Sequence, residues 1–443
     1  MTKNNWSPVE KRFFQRQDIQ KQTTKIPYIL VDNFPDLGFL TSLRFLEWVS
    51  KNPEGVISLP TGKTPEYFIK WTRHFLSNWN DKDLVSLRKE NGLDIDQKPD
   101  LSRLKFVQID EFYPMDPLQH NSFFNYVNNY YLSGFGISQE NALLINCAEI
   151  PLVDAKQWKD IFPNSTIDLT LRYRDPKSEL EKVQQSSIYL IDQWCTEYEE
   201  KIRNMGGIGF FLGGIGPDGH IAFNVRGSDH NSTTRLMETN FETQAAAATD
   251  LGGIEVSKNR LVITIGLASI TFKDDTVAII TAAGEAKASI VKYSLENLPD
   301  VKYPATVLQR CENSRFYLTH GAAKLLDDTE KQYWENSNWD DVKKQRALLR
   351  LAKRKNIFGK KLSLDDLEHD SLCKTIPGLG EGTAPEIIEK VHAKVQRGIK
   401  DESNQVYYHT GPHHDDIMLG MMPHIIHLIR EPSNSHHFAN MTS

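Results

Sequence analysis

From residue 56 to residue 319 the chain switches repeatedly between two hydrophobic patterns, and this alternation constrains the fold more than anything else in the sequence. Short strand-like runs, most of them apolar, stand at 56–59, 105–109, 210–212, 261–265, 276–280 and 315–319. Between them lie stretches with helical spacing, clearest where Val183, Ile188, Ile191, Trp194, Tyr198 and Ile202 recur mostly three and four apart. A strand that is apolar throughout is buried on both faces, and the interleaved amphipathic helices supply the cover. The pattern predicts an α/β fold built on a mostly parallel sheet with helices on both faces. Local signals mark helix starts: Thr64 as an N-cap with Pro65 at the first helical position, and Ser178-x-x-Glu181 as a capping box. Residues 121–132 read as an aromatic-rich helix and 284–296 as another.

A chain of 443 residues is long enough for two or three domains. Residues 1–25 read as a polar leader and 26–324 as the α/β domain. Residues 325–402 read as a helical connector whose basic run at 343–361 is a solvated face or a partner-binding surface. A strand at 406–410 and a helix at 417–429 then look like the opening of another α/β unit, which 403–443 is too short to complete. The formal net charge of −6 gives no global attraction to nucleic acid or anionic membrane, although a local basic patch can still hold a phosphate. Cys147, Cys195, Cys311 and Cys373 are far apart, so there is no zinc ribbon or Cys-x-x-Cys, and free thiols suit a reducing cytoplasm. No run of 18 apolar residues is present to span a membrane.

Three polar motifs fall where strands end, the side on which open α/β sheets bind ligands. In the first, Thr61, Gly62, Lys63 and Thr64 follow a strand and precede a helix, so backbone N–H groups and the helix dipole can meet an anion. Ile57 stands where a nucleotide-binding Walker loop needs glycine, which points to a sugar-phosphate loop instead, or to an ordinary βα turn. In the second, Asp110 and Glu111 are candidates for general base work, or solvated acids at a loop or helix start. Side chains alternate along an extended backbone, so only one of the two is expected to face a site. In the third, residues 213–224 read Gly-Gly-Ile-Gly-Pro-Asp-Gly-His-Ile-Ala-Phe-Asn, and Asp218 lies two residues from His220, which it can orient. Gly214, Gly216 and Gly219 also match a dinucleotide fingerprint, but Pro217 and the bulky His220-Ile221 that follow argue against it.

Taken together, these three motifs resemble the glucosamine-6-phosphate deaminase/isomerase family over roughly residues 40–320, most specifically at 213–224. The resemblance implies a modified Rossmann-like fold with no cofactor. It implies that Asp110 moves a proton between C2 and C1 of an open-chain amino-sugar phosphate, with Glu111 in support. It further implies that His220 opens the pyranose ring, that Asp218 orients His220, and that Thr61, Gly62, Lys63, Thr64 and Lys287 bind the phosphate. The sequence departs from the family where Val225 replaces a glutamate and where 245–250 lacks an arginine. Residues 151–177 look like an insertion. The expected partners are a small-molecule sugar phosphate and further copies of the chain in a homo-oligomer, with no nucleic acid and no membrane. The alternatives are a sugar-phosphate-binding regulatory module without turnover and a 6-phosphogluconolactonase-like hydrolase.

A second resemblance sits at 411–420, which looks like the opening motif of LmbE-like zinc N-deacetylases. It implies His413 and Asp416 as zinc ligands and Asp415 as base, with His414 replacing the usual proline. Catalytic zinc needs at least three protein ligands, so this half-motif holds zinc only in a more complete domain.

Overall fold

The structure is a computed structural model that describes residues 5–241, 244, 260–412 and 415–441. The chain divides into two compact units after Tyr333.

In the first unit, seven parallel strands form the central sheet in the order β1-β10-β9-β6-β2-β3-β5. They are β1 (Tyr28–Val31), β2 (Val56–Ser58), β3 (Lys105–Val107), β5 (Ala142–Leu143), β6 (Phe210–Gly214), β9 (Val277–Ala282) and β10 (Arg315–Thr319). Their side chains alternate between two cores. Ile57, Phe210, Leu212 and Ile279 enter one, while Val56, Phe211, Ala278 and Ile280 enter the other. Burial on both faces is why these runs carry almost no polar residues. The helix Phe34–Lys51 covers the first face, against which Phe45 meets Phe210 edge-on at 5.4 Å. The 26-residue helix Glu179–Asn204 contributes Ile188, Ile191, Tyr198 and Ile202 to the second core.

The chain runs outward through β2, β3 and β5, then returns to the centre at β6 and proceeds to β9 and β10 on the other side. Strand order therefore reverses between β2 and β6, and beyond their carboxyl ends the two connections part and leave a crevice. Over that crevice stands a smaller antiparallel sheet, β4-β8-β7, made of β4 (Asp110–Tyr113), β8 (Leu261–Thr264) and β7 (Arg235–Glu238).

Several sequence expectations are corrected. The run at 105–109 is not one strand: β3 stops at Val107, and the chain crosses to the second sheet, where Asp110 begins β4. Gln108 makes the crossing possible, because its amide donates to the Asp110 carbonyl and accepts from the Ile145 N–H, both at 2.9 Å. The run at 261–265 likewise pairs in the small sheet. The N-cap of the helix Glu66–Ser77 is Pro65, not Thr64. Ser178 does cap its helix, but Glu181 reaches Arg174 and the Lys177 N–H instead of closing a reciprocal box. Residues 7–17, expected as part of a polar leader, pack onto the first unit. A helix at Pro8–Arg16, capped by Ser7, buries Val9 in the first core, and its Glu10 accepts from the buried Tyr317 hydroxyl at 2.9 Å.

The second unit has its own core of Leu348, Leu351, Leu367, Cys373 and Ile387, so 325–402 is more than a connector. Two members of its basic run form ion pairs, Arg354 with Asp370 and Lys355 with Asp366. The strands β11 (Val406–Gly411) and β12 (Ser435–Asn440) pair in parallel, and the helix Asp416–Ile429 lies between them in sequence.

Candidate functional site

A cavity of 290 Å³ occupies the crevice beyond β2 and β6. Thr61 and Thr64 line it from the loop after β2, Asp110 from the start of β4, Gly214 from the end of β6, Gly216 and His220 from the loop after it, and Lys287 from the turn after β9. Residues from all three sequence motifs, together with Lys287, thus meet in one place.

Residues 61–64 form an exposed turn in which Gly62 takes a left-handed φ of +81°. Glycine adopts that conformation without the steric penalty of a Cβ. Among the described residues no acceptor takes the N–H groups of Thr61, Gly62, Lys63 or Thr64, which leaves four consecutive donors for a ligand. Thr64 packs against Gly214, where an added Cβ would lie 3.3 Å from its methyl group. Lys63 is exposed and does not line the cavity. Lys287 does, and its ammonium donates to the Ile215 carbonyl at 2.8 Å. Burial lowers the Lys287 pKa, against the upward pull of Asp218.

Asp110 is buried, and its carboxylate has no hydrogen-bond partner among the described residues. Burial, and then the neighbouring Glu111, raise its pKa well above the ordinary aspartate value. Glu111 faces elsewhere, as alternation along β4 requires. It accepts from Ser122 Oγ and the Phe124 N–H, both at 2.8 Å, and from its neighbour Phe112 N–H at 3.0 Å. It thereby holds the first turn of the helix Phe123–Val127, and it is not a cavity residue. Burial pushes its carboxyl up to about 7, against the pull of those donors.

His220 Nδ1 lies 2.5 Å from Asp218 Oδ1, which leaves Nε2 for a ligand. The other Asp218 oxygen accepts from the Arg226 N–H at 3.0 Å and from Asn240 Nδ2 at 2.6 Å. Burial would raise the Asp218 pKa, but the hydrogen bonds from His220 and the Arg226 N–H outweigh it and hold the pKa well below the usual range. The imidazole sits where a side chain at 216 would be, since an added Cβ there would lie 2.0 Å from its Cε1. Ala222, on the cavity wall, takes a left-handed φ of 51°, a strained state for a residue with a Cβ. Val225 does not line the cavity. No second carboxylate contacts His220 among the described residues: Asp229 caps the turn at Asn231, and Glu238 is exposed at the end of β7. Glu242 and the stretch 245–250, noted for its missing arginine, lie outside the described residues.

Sequence reasoning missed three kinds of site residue. Phe112, Phe123 and Phe223 form an apolar wall with ring centroids 5.3 to 6.3 Å apart, and Phe223 also stacks on His220. Phe123 carried no signal beyond its aromatic-rich helix. Asn240 supports Asp218 from 22 residues away, where no local pattern points to it. Tyr126 and Tyr131 donate to carbonyls of the loop after β2.

The zinc expectation finds no support in the second unit. His413 and His414 lie outside the described residues, and Asp415 and Asp416 start a helix. His409 and His436 face each other across β11 and β12 at 2.9 Å, yet no group of three or more potential ligands forms among the described residues.

No protein-family model matches the chain. Among curated proteins it is 37% identical to the glucosamine-6-phosphate isomerase of Candida albicans over 136 residues, 30% of this chain and 54% of that protein. It is 31% identical to the glucosamine-6-phosphate deaminase of Borrelia hermsii over 220 residues, 45% of this chain and 77% of that protein. A Giardia intestinalis protein, glucosamine-6-phosphate deaminase 1, is 24% identical over 69% of this chain and 92% of its own length. Among solved structures, a monomeric glucosamine-6-phosphate deaminase superposes with a TM-score of 0.50 at 18% identity, covering 68% of this chain and all of that one, a likeness of fold. The Borrelia hermsii match extends over more than two thirds of that protein, and on this likeness the chain belongs to the glucosamine-6-phosphate deaminase/isomerase family.

Proposed function

We propose that the first unit converts glucosamine 6-phosphate to fructose 6-phosphate and ammonia. The observation that carries this reading is what meets at one cavity: a buried carboxylate and an imidazole oriented by a carboxylate, with Lys287 and a turn at 61–64 whose N–H groups have no acceptor among the described residues. Each part has a task. The N–H groups of 61–64 and Lys287 hold the phosphate, and charge-assisted hydrogen bonds of this kind are strong. His220, fixed by Asp218 at Nδ1, moves a proton at the ring oxygen through Nε2 and opens the pyranose. Asp110 takes the C2 proton and returns it at C1. A carboxylate with a raised pKa is a stronger base than an ordinary one, and it has no hydrogen-bond donor to displace first. Loss of the amine then consumes one water and releases ammonia. These are acid–base steps, and the reading calls for no cofactor in this unit.

Ammonia release from glucosamine 6-phosphate tests the proposal. Turnover with fructose 6-phosphate as co-product is expected. Binding of the sugar phosphate without ammonia would identify a regulatory module, a reading that Val225 favours because His220 has one carboxylate partner where the family pattern supplies two. Hydrolysis of 6-phosphogluconolactone in place of deamination would move the chain to the lactonase reaction.

The same reading includes a homo-oligomer and a cytoplasmic setting. The four cysteines are buried free thiols, which fits a reducing compartment, and no described helix is long and apolar enough to cross a membrane. Sedimentation at the mass of a single chain would overturn the oligomer.

A further inference from the structure

The phosphate loop is held from behind by two phenols. Tyr126 donates to the Gly62 carbonyl at 3.0 Å, and Tyr131 donates to the Pro60 carbonyl at 2.5 Å. Both peptide bonds that follow these carbonyls are trans. In a trans peptide the C=O and the next N–H point to opposite sides of the chain. Holding the Pro60 carbonyl on the helix side therefore turns the Thr61 N–H away from that side, and holding the Gly62 carbonyl does the same for the Lys63 N–H. These are two of the four N–H groups with no acceptor among the described residues, and Thr61 lines the cavity.

Helix geometry explains how both phenols reach one loop. Residues five apart on an α-helix are rotated about 140° from each other, so Tyr126 and Tyr131 would face different ways. Between them the helix widens into a π turn at Asn128–Leu132, whose i→i+5 bonding stacks residues five apart on one side. The two rings lie 6.0 Å apart. The same helix begins at the turn that Glu111 holds, one residue from Asp110. A single element thus ties the strand that carries the base to the loop that carries the anion cradle.

We propose that Tyr126 and Tyr131 are positioning residues that set the 60–61 and 62–63 peptide planes and so fix the affinity of the cavity for a phosphate group. The proposal rests on reading the cavity as a sugar-phosphate site. It assigns the two phenols to phosphate binding and not to the proton-transfer steps.

The test compares the full-length wild type with Tyr126→Phe, Tyr131→Phe and the double variant, and with Tyr130→Phe as the control. Tyr130 is exposed, and among the described residues its hydroxyl makes no hydrogen bond to the loop. Affinity for inorganic phosphate is measured by calorimetry, and kcat and KM are measured with glucosamine 6-phosphate. Each single variant is expected to weaken phosphate binding by about two- to tenfold, the range for one lost hydrogen bond. KM should rise by a matching factor, kcat should stay within about twofold, and the double variant should show roughly the product. Tyr130→Phe should leave all three unchanged. Wild-type phosphate affinity in both folded single variants would overturn the proposal, and so would a fall in kcat with phosphate affinity unchanged. If the buried Tyr131→Phe fails to fold, the half-buried Tyr126→Phe decides. A wild type that binds phosphate but releases no ammonia would sink the deaminase reading alone, and the variants would still test the loop through phosphate affinity. A wild type that binds no phosphate would overturn both.

Discussion

At the start of β4, Asp110 is buried without a hydrogen-bond partner among the described residues. In the loop after β6, Asp218 is buried with three, His220 Nδ1, Arg226 N–H and Asn240 Nδ2. Burial acts on both in the same direction, towards the neutral acid. Only at Asp218 do donors reverse it, so one pKa is raised and the other lowered. The difference teaches that surroundings, not residue type, divide the labour between an aspartate on the cavity wall and one that acts on the cavity through His220. The raised carboxylate is equipped to take a proton, while the lowered one stays charged and orients an imidazole.

The sharpest way to break this comparison is to remove the base. Asp110→Asn should cut kcat by about 10²- to 10⁴-fold with sugar-phosphate binding largely kept. In the wild type, kcat/KM should rise with pH through an acid limb above the ordinary aspartate value, because Asp110 must lose its proton to act and its pKa is raised. A limb near the ordinary aspartate value of about 4, or near-normal turnover in the variant, would make Asp110 structural.

The β6 side breaks through a glycine. Gly216→Ala puts a methyl group 2.0 to 2.3 Å from three atoms of the His220 ring, so the imidazole must leave its place beside Asp218. Turnover should drop by about 10²-fold, the low end for losing an acid–base group. Retained activity in a folded variant would mean that this position of His220 is not the one used.

Much of this was legible in the sequence, and the rest was not for physical reasons. The buried strands at 210–212 and 315–319 could be read because burial on both faces leaves a continuous apolar run. The three motifs could be read because turn glycines and paired polar residues are local signals. The switch at Gln108 could not: one polar residue inside a strand-like stretch does not mark its end, and only tertiary pairing with β8 separates Asp110 from β3. The role of Glu111 could not be read either, since its donors lie 11 and 13 residues away. The helix at Pro8–Arg16 was hidden by its polar composition, because its buried Glu10 finds its partner, Tyr317, 307 residues away.

The two lysines extend the comparison to the phosphate end of the cavity. Lys287 is partly buried and already fixed on the Ile215 carbonyl, whereas Lys63 is exposed and off the cavity wall. Lys287→Ala should raise KM by about 10- to 100-fold, as expected for a charged hydrogen bond at a partly buried site. Lys63→Ala should raise it by no more than about threefold, because an exposed charge is screened by solvent and salt. Kinetics at two salt concentrations check the ranking. An effect of Lys63→Ala equal to that of Lys287→Ala would mean that the loop closes over the ligand and brings Lys63 in.

The smallest effect concerns stability, and it tests whether burial without enough donors governs the β4 side. Glu111 ionises near 7 in the folded chain against an ordinary value of 4.5. Between those values the folded state holds more protons than the unfolded state, so the contribution of Glu111 to stability is complete below about 4.5 and is lost as pH rises through 7. Asp218 has the opposite sign. Its lowered pKa contributes stability above the ordinary value of 3.8, and that is lost as pH falls. Comparing Glu111→Gln with the wild type, both in an Asp110→Asn background, removes the coupled neighbour from the measurement. The melting temperature of the Glu111-bearing chain should fall relative to Glu111→Gln between pH 5 and 7.5, by on the order of 2–5 °C. Parallel curves across that window would mean that the hydrogen bonds from Ser122 and the Phe112 and Phe124 N–H groups already offset the burial of Glu111. The contrast with Asp218 would then be confined to Asp110.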